Sequence, residues 1–191
     1  MIYETIVTTC SPDGEAHIAP FGIQWHDDKV LIMPFKPSTT LQNVLQTGFA
    51  VLNLTDDVRV FAAAIAKKTA FATESVVDGK GVRLKECLAH HVLTLEHVED
   101  DGTRPKLWMR VLHSESHAPF MGFNRAQAAV IELAVLVSRL QRLPIDKITQ
   151  EMQYLQIAID KTAGPREQEA WQWLVDCVNN HLAQQSGMQQ A

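Results

Sequence analysis

Cysteine is scarce in this chain: there are three among 191 residues, at positions 10, 87 and 177. Odd in number and far apart, they exclude a disulfide framework and point to reduced thiols in a cytoplasmic protein. A cationic surplus is also missing, because 17 Lys and Arg stand against 22 Asp and Glu for a formal net charge of −5. That excludes a protein built to coat nucleic acid, and Lys67-Lys68 and Arg139/Arg142 are too sparse to form a binding stripe. Long apolar runs are absent too. The longest, 128–137, is interrupted by Glu132 and is about half of the roughly 20 residues that a membrane-spanning helix needs. The start, Met1-Ile-Tyr-Glu-Thr, has no basic region leading into an apolar stretch, so no secretory signal is expected. With 46% hydrophobic and 20% charged residues, the chain has enough apolar surface to fold without staples and is too apolar for global disorder.

The pattern of the chain changes near Pro119. Before it, strand signals dominate. Residues 3–9 are rich in β-branched side chains and end at the turn Ser11-Pro12-Asp13-Gly14. Residues 16–25 read as a second strand, in which Pro20 must occupy an edge or a bulge because it has no N–H to donate. Residues 30–35 follow as a third strand of an antiparallel meander. Ser38 or Thr39 then caps a short helix bearing Leu41, Val44 and Leu45, with Gly48 at its end. Residues 49–54 return to strand, Asp56-Asp57 offers a cap for a small helix over 58–66, and 83–113 reads as a long hairpin turning at Asp100-Asp101-Gly102. The stretch 67–80 carries no clear pattern.

After Pro119 the pattern is helical. Asn124 caps a helix through Leu143. Glu132 within it is expected to be buried and ion-paired, since Arg125 and Arg139 each lie seven residues away along one face. A second helix follows Pro144, with Ile145, Ile148, Met152, Leu155 and Ile159 on one stripe. A third opens at Pro165 and faces inward with Leu174, Val178 and Leu182, and its Gln-rich end is expected to fray. The reading is α+β, mainly β: a small barrel over 1–118 followed by a helical domain of about three helices over 119–191.

Chemistry concentrates at Pro34-Phe-Lys-Pro-Ser-Thr-Thr-Leu-Gln-Asn43. A strand ends, a cation and three hydroxyl residues follow, and a helix begins. Helix starts expose unpaired N–H groups and the positive end of the dipole, and so suit an anion. Lys36, Ser38, Thr39 and Thr40 are the candidate phosphate ligands, with Asn43 behind them. Hydroxyl caps also precede helices that bind nothing. His113, Glu115 and His117 share a face if extended, next to His90, His91 and His97 on the preceding strand. No Cys-x-x-Cys pair or His-Glu-x-x-His spacing accompanies them, so no metal is expected. Trp108, Trp171 and Trp173 are read as packing residues.

The run Lys36 to Val44, followed by Thr47-Gly48-Phe49-Ala-Val51-Leu-Asn53, resembles the signature of the flavin-reductase-like, FMN-binding split-barrel proteins. Ala19-Pro20-Phe21-Gly22 and Pro119-Phe-Met-Gly-Phe-Asn-Arg125-Ala126 resemble an uncharacterised archaeal and bacterial branch with a C-terminal helical domain. The resemblance implies a six-stranded split barrel and a homodimer with FMN at the subunit interface. It places the phosphate on the 36–43 loop and the backbone of Ala19, Pro20, Phe21 and Gly22 near the flavin ring. Asn53 is open to two roles, at the ring's polar end or bonding a neighbouring loop. Phe123-Asn124-Arg125 reads on local grounds as an aromatic staple, a cap and a surface arginine, with Arg125 over the flavin or an anionic substrate as the alternative. Some members of that branch are associated with tetrahydromethanopterin-dependent one-carbon metabolism.

The Gly-Asp-His motif of NADH:flavin reductases is missing here, where Cys87-Leu-Ala-His90-His91-Val-Leu-Thr-Leu-Glu96 stands in the comparable region. The expected function is an FMN-dependent oxidoreductase acting on a small molecule, with no protein nucleophile assigned because the flavin carries the redox chemistry. Two other readings stay open: a non-catalytic flavin-binding carrier, sensor or assembly protein, and an anion- or pterin-binding domain without flavin.

Overall fold

The computed structural model describes residues 1–68, 71–76, 79–100 and 102–188, with side chains in the last helix described through residue 185. Two compact units emerge: Met1–Asp56 with Ala70–Phe120, and Asp57–Thr69 with Met121–Ala191.

The first unit is a closed barrel in the order β1-β2-β3-β8-β7-β4, built from β1 (Tyr3–Cys10), β2 (Ala16–His26), β3 (Lys29–Ile32), β4 (Phe49–Leu54), β7 (Ala89–Glu99) and β8 (Lys106–Ser116). A separate ribbon pairs β5 (Thr73–Ser75) with β6 (Val82–Leu84). The long hairpin expected from Arg83 therefore starts at Ala89 instead. Arg83 belongs to the ribbon, with its guanidinium 2.6 Å from Glu74. Asp101 of the expected hairpin turn lies outside the described residues, as do positions 69–70 and 77–78 of the patternless stretch.

Alternation sorts each strand into two faces. Val7, Ile23, Val30, Ile32, Leu52, Leu93, Leu107 and Met109 fill the barrel. Pro20 sits opposite Ile6 on β1, whereas β3 pairs with β2 only over Gln24–His26. Residues 16–23 of β2 are thus paired on one side only, which is where a proline fits.

The helix α1 (Thr39–Thr47) is fixed by local chemistry. Ser38 Oγ accepts the Leu41 N–H at 3.3 Å, and Gly48 closes the helix at φ 77° with its N–H on the Val44 carbonyl, 2.9 Å away. Among the described residues, a Cβ at Gly48 would meet nothing within 4 Å, so the left-handed backbone is what is at stake. Gly48→Ala is expected to cost about 1 kcal/mol, read as a fall in the urea midpoint, with Gly48→Asn costing less.

The second unit holds α2 (Arg59–Ala66), α3 (Arg125–Val137), α4 (Ile145–Thr162) and α5 (Pro165–Met188). The sequence reading left α2 with the barrel. Val58 and Ala62 instead share a core with Ala129, Val130, Leu133, Ile148, Trp171 and Leu174. Asp57 anchors this segment: it accepts the Arg59 N–H at 3.1 Å and holds the Arg59 guanidinium at 2.6 Å.

Asn124 caps α3 as expected, accepting from the Ala126 and Gln127 N–H groups. The helix stops at Val137 rather than Leu143, because 138–143 tighten into turns in which the N–H groups of Arg139, Leu140 and Arg142 reach back three residues. Glu132 is exposed, which removes the need for the expected buried ion pair. On α5, Leu174 and Val178 are buried, but His181 rather than Leu182 continues the inward face, its ring 2.9 Å from Gln185 Nε2. The helix runs through the Gln-rich segment to Met188, and residues 189–191 lie outside the described ones. All three cysteines are free thiols. Among the described residues, no helix is long and apolar enough to cross a membrane.

Candidate functional site

The site is built around the start of α1, which packs against β1, β2 and β4. The first helical N–H groups have no acceptor within their own helix. Here the Ser38 hydroxyl takes the one on Leu41, while the Ser38 carbonyl accepts the Gln42 N–H as the first bond of the helix. Those of Thr39 and Thr40 lead the helix, and its first turn carries no acidic residue. Thr40 is 1% exposed, and its Oγ1 is buried without a hydrogen-bond partner among the described residues. An orphaned buried hydroxyl of this kind costs about 1–3 kcal/mol unless something supplies its bond. Thr39 beside it is exposed.

Asn43 is buried one turn on and donates from Nδ2 to Thr9 Oγ1 at 3.0 Å, tying α1 to β1. Lys36 is turned toward the β7–β8 connection. Its ammonium lies 2.6 and 2.9 Å from the two Asp100 oxygens, and this bond holds the Asp100 carboxyl below its ordinary pKa. The charge of Lys36 is therefore already shared with a carboxylate. Sequence reasoning missed Asp100 and also Arg104, which donates to the Met33 carbonyl at 2.8 Å and lies over the Phe35 ring at 4.6 Å. Both reach the 33–36 segment only because β3 pairs with β8, a contact that no local pattern encodes.

Ala19, Pro20, Phe21 and Gly22 are half-buried on the singly paired stretch of β2, and Thr5 Oγ1 donates to the Phe21 carbonyl at 3.0 Å. Asn53 is fully buried. Its Nδ2 lies 3.2 Å from each of the Ile6 carbonyl, Thr8 Oγ1 and the Val51 carbonyl, while Oδ1 accepts the Leu84 N–H at 2.7 Å. Both ends of its amide are thus bonded to neighbouring strands. Arg125 opens α3 in the helical unit, where it is exposed.

A cavity of about 420 Å³ opens at the far end of α1, lined by Thr9, Cys10, Thr47, Phe49, Lys80 and Val82 among others. Lys80 lies 5.5 Å over the Phe49 ring, and burial pushes the Cys10 thiol pKa up. Thr47 and Phe49 of the signature run line this cavity, whereas none of the candidate ligand residues does, although Thr9 links it to Asn43.

The outer face of β4, β7 and β8 carries a histidine cluster. Register places Asn53, His90 and Glu115 in one cross-strand row and Val51, Val92 and His113 in the next. His90 is 1% exposed, with Nδ1 2.8 Å from His117 Nε2. Burial, followed by the neighbouring His117, holds its pKa down to about 4.

A closed six-stranded barrel with a capped helix between its third and fourth strands defines the split-barrel class to which flavin reductases belong. The chain is similar to the styrene monooxygenase flavin reductase of Pseudomonas putida, with TM-score 0.50, 14% identity, and coverage of 59% of this chain and 77% of that one. It is likewise similar to the 2-nitrobenzoate 2-nitroreductase of Pseudomonas fluorescens, with TM-score 0.52, 14% identity, and coverage of 60% and 64%.

Residues 3–118 match the family described as "Protein of unknown function (DUF447) N-terminal domain", residues 124–176 match "Protein of unknown function (DUF447)", and the chain belongs to this family. An FMN-bound DUF447 protein from Methanosarcina mazei shares the fold over 92% of this chain and 94% of its own, with TM-score 0.79 and 21% identity.

Proposed function

We propose that the barrel unit binds FMN and that the protein is an FMN-dependent oxidoreductase of a small molecule, working as a homodimer with the flavin at the subunit boundary. The observation that carries this reading is the orphaned Thr40 hydroxyl at a helix start free of acidic residues. The FMN-bound protein of Methanosarcina mazei, with the same fold and family, supports the choice of ligand. The N–H groups of Thr39 and Thr40 and the Thr40 hydroxyl bind the phosphate. Arg104 brings a guanidinium to the same loop, and Lys36 adds its ammonium on leaving Asp100. The singly paired backbone of Ala19 to Gly22 offers N–H and C=O groups to the polar edge of the ring. Asn53 acts one step back, by holding β1, β4 and β6 in place. Bound there, the flavin supplies the electron-transfer chemistry. The absent Gly-Asp-His motif favours an electron donor other than a nicotinamide.

The test is the absorbance spectrum of the purified protein, with mass identification of what denaturation releases. A two-band flavin spectrum releasing FMN near one per chain is expected. A colourless protein that also fails to take up added FMN would remove the reading. A flavin that is reduced and reoxidised by no donor and acceptor pair would leave the carrier reading in its place.

A further inference from the structure

We propose that His90, His113 and Glu115 form a binding site for a divalent first-row transition ion on the outer face of β7 and β8, apart from the α1 site. One ring nitrogen of each histidine and a carboxylate oxygen of Glu115 lie within 4.8 Å of one another. The placement is a consequence of register. His90 faces Glu115 directly across the β7–β8 ladder, and His113 faces Val92 one row along, so all three side chains emerge on the same side of the sheet. Spacing along β8 brings His113 and Glu115 together. His90 joins only through strand pairing, which is why no metal-binding spacing is visible in the sequence.

A second observation points to a ligand. His90 is 1% exposed, and its Nε2 is buried without a hydrogen-bond partner among the described residues. Its other nitrogen is engaged, since Nδ1 lies 2.8 Å from His117 Nε2. With the Nδ1 proton donated to His117, the lone pair of His90 is left on Nε2, where a cation can take it. Metal-bound histidines typically have their second nitrogen fixed by an outer partner in this way.

The other two ligands are exposed, which leaves their side chains room to rotate onto an ion. The His113 and Glu115 side chains are 46% and 52% exposed, with His113 Nε2 4.0 Å from Glu115 Oε2. Zinc at about 2.0–2.1 Å from nitrogen and oxygen ligands brings those atoms to about 3.3 Å from one another, an adjustment of side-chain rotation. Two imidazoles and one carboxylate suit zinc, iron, nickel or copper rather than calcium or magnesium. Three protein ligands leave at least one position to water. The nearby cation Arg83 does not oppose the ion with a free charge, because it is bonded to Glu74 and to the Leu84 and Lys85 carbonyls.

The experiment is a calorimetric titration of Zn²⁺ into the full-length protein after treatment with a chelator, with Co²⁺ absorbance as a report on ligand geometry. One ion per chain is expected, at a dissociation constant of about 1 μM or tighter. His113→Ala and Glu115→Gln change exposed side chains and so keep the fold, which circular dichroism verifies. Each is expected to weaken binding at least about 10-fold and to alter the Co²⁺ bands. His97→Ala, an exposed histidine further along β7, is expected to bind as the parent does. Absence of saturable binding, or equal affinity in the parent and both ligand variants, would overturn the proposal.

Discussion

Asn53→Leu is expected to destabilise the barrel by about 3–4 kcal/mol, a large share of the 5–15 kcal/mol by which domains are stable. The substitution keeps the branched shape and heavy-atom count of the side chain, in a bulkier form, and removes every bond. An amide has two protons, so Nδ2 divides them among the Ile6 carbonyl, Thr8 Oγ1 and the Val51 carbonyl, while Oδ1 takes the Leu84 N–H. With leucine, the Leu84 N–H loses its Asn53 acceptor, and one tie between the barrel and the β5–β6 ribbon is cut while the Thr8 hydroxyl still reaches the Val82 carbonyl. Urea unfolding followed by tryptophan fluorescence reads the effect as a midpoint lower by about 1–2 M. A loss below about 1 kcal/mol would show that the ribbon is held by other contacts.

Ser38→Asp is expected to raise the FMN dissociation constant about 100-fold while leaving the fold intact. Aspartate caps a helix as well as serine does, and its charge suits the positive end of the dipole, so α1 is preserved. The same charge opposes a phosphate on the Thr39 and Thr40 N–H groups. Unit charges about 5 Å apart at an effective dielectric of about 20 repel by about 3 kcal/mol. Riboflavin, which has no phosphate, serves as the control and is expected to bind parent and variant alike. Equal FMN affinity in both proteins would place the phosphate somewhere other than α1.

Elements fixed by neighbours in sequence were legible from the residues alone. Ser38 and Gly48 frame α1, and Asn124 starts α3, because a cap is a local bond that needs only the next few residues. Elements fixed by distant partners were not. Nothing in 57–69 announces that Val58 and Ala62 pack with α3 and α5, since small apolar residues suit either core. Lys36 reads as a free cation until the β7–β8 connection delivers Asp100, 64 residues away. The face shared by His113, Glu115 and His117 was visible as alternation. His90 entered only with the register, which slips at Val92/Leu93 and again at Leu95/His97 and so cannot be counted back from the hairpin turn.

Pro20 has a consequence for survival in a crowded solution. Residues 16–23 of β2 pair with β1 alone, so their other side is a strip of backbone on which a second chain could add a strand. Self-templated sheet growth needs an uninterrupted row of donors and acceptors. Proline in the middle of that strip withholds a donor and stiffens the backbone. The residue that sits awkwardly in a strand thus acts as a gatekeeper against aggregation, protecting the chain during synthesis and refolding, before other surfaces have come together.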